Sequence, residues 1–225
     1  TTLVEAKLLG CTSIGLDLNP LSVLMARTKC DLLAVDPDAL MKTYSAVRTK
    51  LLNGGRRENG RRWILSLPDE DQRYLGSWFS GQVLNELELV VAVIESIGNH
   101  TVRNYFRLAL SNILRRVSWQ KEDDLRVRRK MRSDADIDPV NEFLEQLGRS
   151  VRLVTALLLQ AHGHASRRST ILEGDARNAA ASFPQYRGRV DVVVTSPPYA
   201  TALPYLDTDR LSLVYLKLLT RSQHR

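Results

Sequence analysis

The run VDVVVTSPPYA, residues 190–200, decides how the rest of this sequence is read. Val190 and the three valines at 192–194 are β-branched and apolar, the composition of a strand covered on both faces. Two prolines then stop it, because a proline has no N–H for a strand ladder and its ring fixes φ. The expectation is a buried strand over 190–195. It should end in a rigid turn carrying a hydroxyl (Ser196), a carbonyl (Pro197) and an aromatic ring (Tyr199).

Working outward, residues 169–173 (STILE) read as a second short strand running into Gly174-Asp175-Ala176, and residues 13–17 (SIGLD) as a third. A short helix closed by Gly10 precedes the strand at 13–17, and Asn19-Pro20 opens another helix behind it. A helix at residue 1 with no strand before it is odd for an α/β unit, so a preceding strand and turn are expected outside this chain. Between the two α/β parts the pattern is helical. Leu40, Tyr44, Val47 and Leu51 share a helical face, as do Leu84, Leu87, Val91, Ile94 and Ile97. Longer stripes run from Val102 to Val117 and from Phe143 to Leu158. A Gly/Arg-rich loop spans 53–62. The division expected is therefore 1–35 and 166–225 as two parts of an α/β core with parallel strands, and 36–165 as a large all-helical insertion.

A chain of 225 residues, 44% of them hydrophobic, can bury one sizeable core. Its 32 basic against 25 acidic residues leave a formal charge of +7, which suits a polyanionic partner without fixing a fold. Cys11 and Cys30 form neither a disulfide framework nor a metal spacing, so a reduced, cytoplasmic setting is expected. No apolar run approaches the roughly 20 residues of a membrane span, and no membrane partner is expected. His162 and His164 stand in a polar turn without clustered ligands, so no metal is expected either.

Ligands of open parallel sheets sit beyond the carboxyl ends of the strands. Asp17 at such an end can accept hydrogen bonds from both hydroxyls of a ribose, and Asp175 can reach an adenine amine. Equally, Asp17 can cap the following helix and Asp175 can be an ordinary turn residue. The turn at 196–199 is more specific. An amino group on a nucleobase is a poor nucleophile because its lone pair is delocalised into the ring. A fixed pair of acceptors, the Ser196 hydroxyl and the Pro197 carbonyl, can bind both amine hydrogens and draw the nitrogen towards tetrahedral geometry. Pro197 and Pro198 would hold the turn rigid, and Tyr199 offers a face on which an extruded base can stack. The plainer alternative is a diproline turn ending a strand, with Tyr199 packing at the rim.

Taken together, Thr1-Thr2, the GLDLNP run at 15–20, Gly174-Asp175-Ala176 and Thr195-Ser-Pro-Pro-Tyr199 resemble the amino-group DNA methyltransferases that use S-adenosylmethionine. The resemblance covers about 1–30 and 170–215. It implies a Rossmann-like sheet, here incomplete, and methyl transfer to an exocyclic amine of a DNA base flipped from a duplex. Ser in the first position of the turn is associated in that family more with cytosine N4 than with adenine N6. It further implies that Thr1, Thr2, Asp17, Leu18, Asp175 and Ala176 bind the cofactor, and that Ser196, Pro197, Pro198 and Tyr199 form the catalytic turn. The family's glycine-rich cofactor loop is absent and the chain stops soon after the turn. A fragment of a longer enzyme is therefore expected, binding the cofactor weakly or not at all by itself. An RNA amino-methyltransferase and a non-catalytic remnant that only binds nucleic acid are the rival readings.

In the basic middle, Arg126, Arg128 and Arg129 lie near Trp119. Guanidinium groups contact phosphates well, and an indole can stack on a base or sugar. Glu122, Asp123 and Asp124 interrupt the run, so a solvated charged surface is an equal reading. With DNA as partner, the helical insertion would form one wall of its cleft.

Overall fold

The computed structural model describes residues 1–53, 62–121, 127–160, 168–196 and 205–224. Helix α1 (Thr2–Leu8) leads into strand β1 (Ser13–Asp17) and helix α2 (Pro20–Leu32). A helical series follows: α3 (Pro37–Asn53), α4 (Arg62–Leu65), α5 (Asp69–Gly76), α6 (Gly81–Glu95), α7 (His100–Leu114) and α8 (Pro139–Gln160). Strand β2 (Ser169–Glu173) comes next, then the short helices α9 (Ala179–Ser182), α10 (Tyr205–Thr208) and α11 (Arg210–Tyr215). The described residues are thus mostly helical, with one small parallel sheet.

Strands β1 and β2 pair in parallel, Ser13 opposite Ser169 through Asp17 opposite Glu173. A parallel pair needs a crossover, and here the crossover is the helical series itself. The Ser13 and Ser169 hydroxyls meet at 2.9 Å where the pair begins. Ser13 N–H donates to the Arg168 carbonyl at one end and Gly174 N–H to the Asp17 carbonyl at the other, both near 3 Å (3.2 and 3.0 Å). That alternation turns the backbone of Ile171 away from β1, where Arg27 of α2 donates to its carbonyl through Nε (2.8 Å) and Nη2 (2.7 Å). The outer edge of β2 is therefore partly closed by a side chain. The same alternation turns Ile14 and Leu16 outward from β1, and no further strand pairs there among the described residues.

Helix α1 folds back over β1 through Gly10, whose φ of 74° lies in the left-handed region that glycine adopts freely. Gly15 lets the helix approach closely: a Cβ there would stand 2.7 Å from Leu3 Cδ1. The first residues of α1 consequently lie toward the Asp17 end of β1.

Most of the core belongs to the helices. Leu87 and Val90 of α6, Phe106, Leu110 and Ile113 of α7, and Phe143, Leu147 and Val151 of α8 are all fully buried. All but Val90 belong to the stripes read from helical periodicity. Leu21 and Leu32 of α2 and Leu211, Leu213, Val214 and Tyr215 of α11 join the same apolar cluster. Side-chain caps start several of the helices: Asn19 for α2, Asp36 for α3, Ser80 for α6, Asn99 for α7 and Asp138 for α8. Each such cap contributes about 1 kcal/mol. No helix of the described residues is long and apolar enough to cross a membrane.

The expected strand over 190–195 is not formed. Residues 190–196 have no strand partner among the described residues, and Val192, Val193 and Val194 are 76%, 81% and 70% exposed. The expectation of three paired strands is corrected to two. The physical reason is that β-branched composition only makes a strand favourable when a neighbouring backbone and a covering layer exist, and this segment has neither here.

Candidate functional site

The parallel pair fixes the first part of the site. Asp17 ends β1, its carbonyl accepts from Gly174, and Asp175 follows at once on the neighbouring strand. The two aspartates therefore leave the sheet at the same carboxyl edge. Asp17 is exposed; its Oδ1 accepts from the Asn19 N–H at 2.8 Å, and Oδ2 has no partner among the described residues. Asn19, rather than Asp17, caps α2, its Oδ1 accepting from Leu21 N–H at 2.9 Å. Asp175 caps the tight turn that follows it, accepting from Arg177 N–H at 2.9 Å. The Arg177 guanidinium also grips the Asp175 carboxylate, and these hydrogen bonds hold its pKa below the ordinary carboxylate value. Arg177 is itself exposed, so the pair is an edge feature open to water.

The other residues read as cofactor-binding are near this edge or exposed beside it. Thr1 and Thr2 start α1 on the Asp17 side, Thr1 accepting from Glu5 N–H through its carbonyl at 3.0 Å. Leu18 is 64% exposed directly after Asp17, and Ala176 is exposed after Asp175. Ser196 is exposed at the end of its described segment. Pro197, Pro198 and Tyr199 lie outside the described residues, as do Arg126, His162, His164 and most of the Gly/Arg-rich loop.

Sequence reading missed one connection. Asn19 Nδ2 donates to Asp209 Oδ2 at 2.8 Å, joining the β1 edge to the start of α11 across 190 positions of sequence. The signals available were the Asn-Pro helix opening and an Asp ahead of an apolar run, neither of which specifies a partner. Burial raises the Asp209 pKa above the usual carboxylate value, an effect the Asn19 hydrogen bond opposes.

In the basic middle the chain folds back on itself. Gln120 and Arg129 form an isolated antiparallel bridge, with Lys121 N–H donating to Arg128 O (2.9 Å) and Lys130 N–H to Trp119 O (2.7 Å). The Arg129 guanidinium stands 4.7 Å from the centre of the Trp119 ring, so one face of the indole is already covered by a cation. The backbone N–H of Trp119 donates to the Trp78 carbonyl at 2.8 Å. Several neighbouring guanidiniums serve the protein itself: Arg115 donates to Lys121 O, Arg132 to Ser118 O, and Arg116 pairs with Glu142. Arg128 and Arg129 remain exposed on this surface.

Neither a protein-family model nor a solved structure matches the chain. Among characterised proteins, the Type II methyltransferase M.MvaI of Kocuria varians is 27% identical over 232 aligned positions, taking in 97% of this chain and 49% of that protein. The chain spans about half the length of this relative. The resemblance to the DNA methyltransferases, drawn from short motifs at the two ends, is borne out, and it extends as similarity to a Type II methyltransferase through the helical middle as well.

Proposed function

We propose that this chain carries the cofactor edge and the catalytic turn of an S-adenosylmethionine-dependent methyltransferase acting on an exocyclic amine of a DNA base, cytosine N4 in preference to adenine N6. The observation that carries the reading is the shared edge: Asp17 and Asp175 leave adjacent parallel strands side by side, where ligands of such sheets bind. The donor set fits the cofactor. Asp17 has a carboxylate oxygen open to accept from ribose hydroxyls, Leu18 offers exposed apolar surface beside it, and Asp175 is held ionised to accept from an adenine amine. When bound, the cofactor supplies an electrophilic methyl group on a positively charged sulfur. The chain's own part is to orient the amine: Ser196 and the Pro197 carbonyl accept its hydrogens, and Tyr199 stacks on the base. Arg126, Arg128, Arg129 and Trp119 are assigned to nucleic-acid contact, the arginines to the phosphate backbone.

Two unsatisfied features support the further reading that the sheet is larger in the working enzyme. Among the described residues no strand pairs with β1 along Ile14 and Leu16, and the valines at 192–194 are exposed. A strand added along β1 would pair with that edge and offer its far side to the valine segment. The free thiols Cys11 and Cys30 suit a reduced, cytoplasmic setting.

The test is methyl transfer from labelled S-adenosylmethionine to duplex DNA by the full-length protein that carries this chain, with transfer RNA as the competing substrate. Asp17→Ala should weaken cofactor binding at least tenfold, since hydrogen bonds to a charged group contribute about 1.5–3 kcal/mol. Ser196→Ala should lower the rate while cofactor binding holds. Transfer to RNA alone, or no transfer with nucleic-acid binding retained, would defeat the proposal.

A further inference from the structure

We propose that Arg177 determines how strongly the cofactor edge prefers a purine bearing an amine: its guanidinium occupies the Asp175 carboxylate and must leave before an adenine amine takes that place. This rests on the function proposed above, in which Asp175 accepts from adenine.

The two carboxylates of the edge are differently engaged. Asp17 keeps Oδ2 without a partner among the described residues, whereas both oxygens of Asp175 are taken. Asp175 Oδ1 accepts from the Arg177 backbone N–H at 2.9 Å and from its Nε at 3.0 Å. Oδ2 accepts from Nε at 2.8 Å and from Nη2. A carboxylate has about four lone-pair directions, so each oxygen already meets as many donors as it directs well. The backbone bond closes the turn after β2 and does not depend on where the side chain points. The guanidinium contact is separable from it. The Arg177 side chain is 89% exposed, and Asp175 is its partner in every contact it makes among the described residues.

An exposed ion pair is weak, because water and salt screen it. The guanidinium can therefore swing into water without disturbing the strand pair or the turn. A site whose competent form is a fraction of the population loses apparent affinity by that fraction, and for an exposed pair the factor is about two to five. The effect is confined to ligands that donate to Asp175. A purine with hydrogen in place of the amine makes no such bond and gains nothing when the carboxylate is uncovered.

The experiment is calorimetric titration of the full-length protein that carries this chain with S-adenosylmethionine, adenosine and purine riboside, which is adenosine without its amine. Arg177→Ala should bind adenosine and S-adenosylmethionine about two- to fivefold tighter than the parent, while purine riboside binds as before. Arg177→Lys, which keeps the charge without the planar fork, should fall between. Asp175→Ala added to Arg177→Ala should remove the whole gain. Adenosine is uncharged, so raising salt from about 0.02 to about 0.5 M should tighten its binding to the parent, by screening the pair, and leave Arg177→Ala unchanged. A parent that binds neither S-adenosylmethionine nor adenosine would overturn the proposed function and this role with it. A parent that binds them, with Arg177→Ala equal or weaker, would overturn this inference alone, as would an equal gain for purine riboside.

Discussion

Replacing Val193 with aspartate separates two accounts of the segment before the diproline turn. If the valines formed a covered strand, an unpaired carboxylate would be forced into an apolar layer, at a cost of about 3 kcal/mol or more. In the structure Val193 is 81% exposed, so only about a fifth of its surface is shielded. Fully burying a valine contributes roughly 1.5–3 kcal/mol, which scales here to about 0.3–0.6 kcal/mol. The expected loss for Val193→Asp in this 225-residue chain is therefore under about 1 kcal/mol. Urea unfolding followed by far-ultraviolet circular dichroism measures it, with the slope m unchanged because no compact surface is altered. A loss above about 2 kcal/mol would mean that the valines are packed in solution, and the exposed arrangement would be wrong. In a full-length protein whose sheet is completed as proposed, the same substitution should become severe. The contrast between the two backgrounds measures what the added strand covers.

Two further outcomes follow from the helical body. Leu110 is fully buried in α7, and Leu110→Ala should destabilise the chain by about 2–5 kcal/mol, read from the same urea transition; a change under about 1 kcal/mol would show the core to be loosely packed. Tyr105 donates or accepts at 2.6 Å with Ser150, and burial pushes its pKa up to about 12 from 10.0. The raised value means that its contribution is complete below pH 10 and is lost as pH rises towards 12. Stability of the parent should thus fall faster than that of Tyr105→Phe across this interval, by up to about 2–3 kcal/mol in all; parallel curves would refute the assignment.

Local pattern alone determined much of this protein. The apolar periods of α3, α6, α7 and α8, the Gly10 reversal, the Asn-Pro opening of α2 and the strands at 13–17 and 169–173 are all legible because each leaves a pattern in consecutive residues. The motif residues Asp17 and Asp175 were legible as candidates, since carboxylates at strand ends have few other uses than capping or ligand contact. Tertiary structure alone decided that these two strands are neighbours, because parallel pairing across more than a hundred residues leaves no mark on either strand. It also decided the fate of the valines at 192–194, whose composition states a preference for burial that only a neighbouring strand can satisfy. The bond from Asn19 to Asp209 belongs to the same class: a side-chain amide and a carboxylate name no partner until the core has carried α11 back to the end of β1.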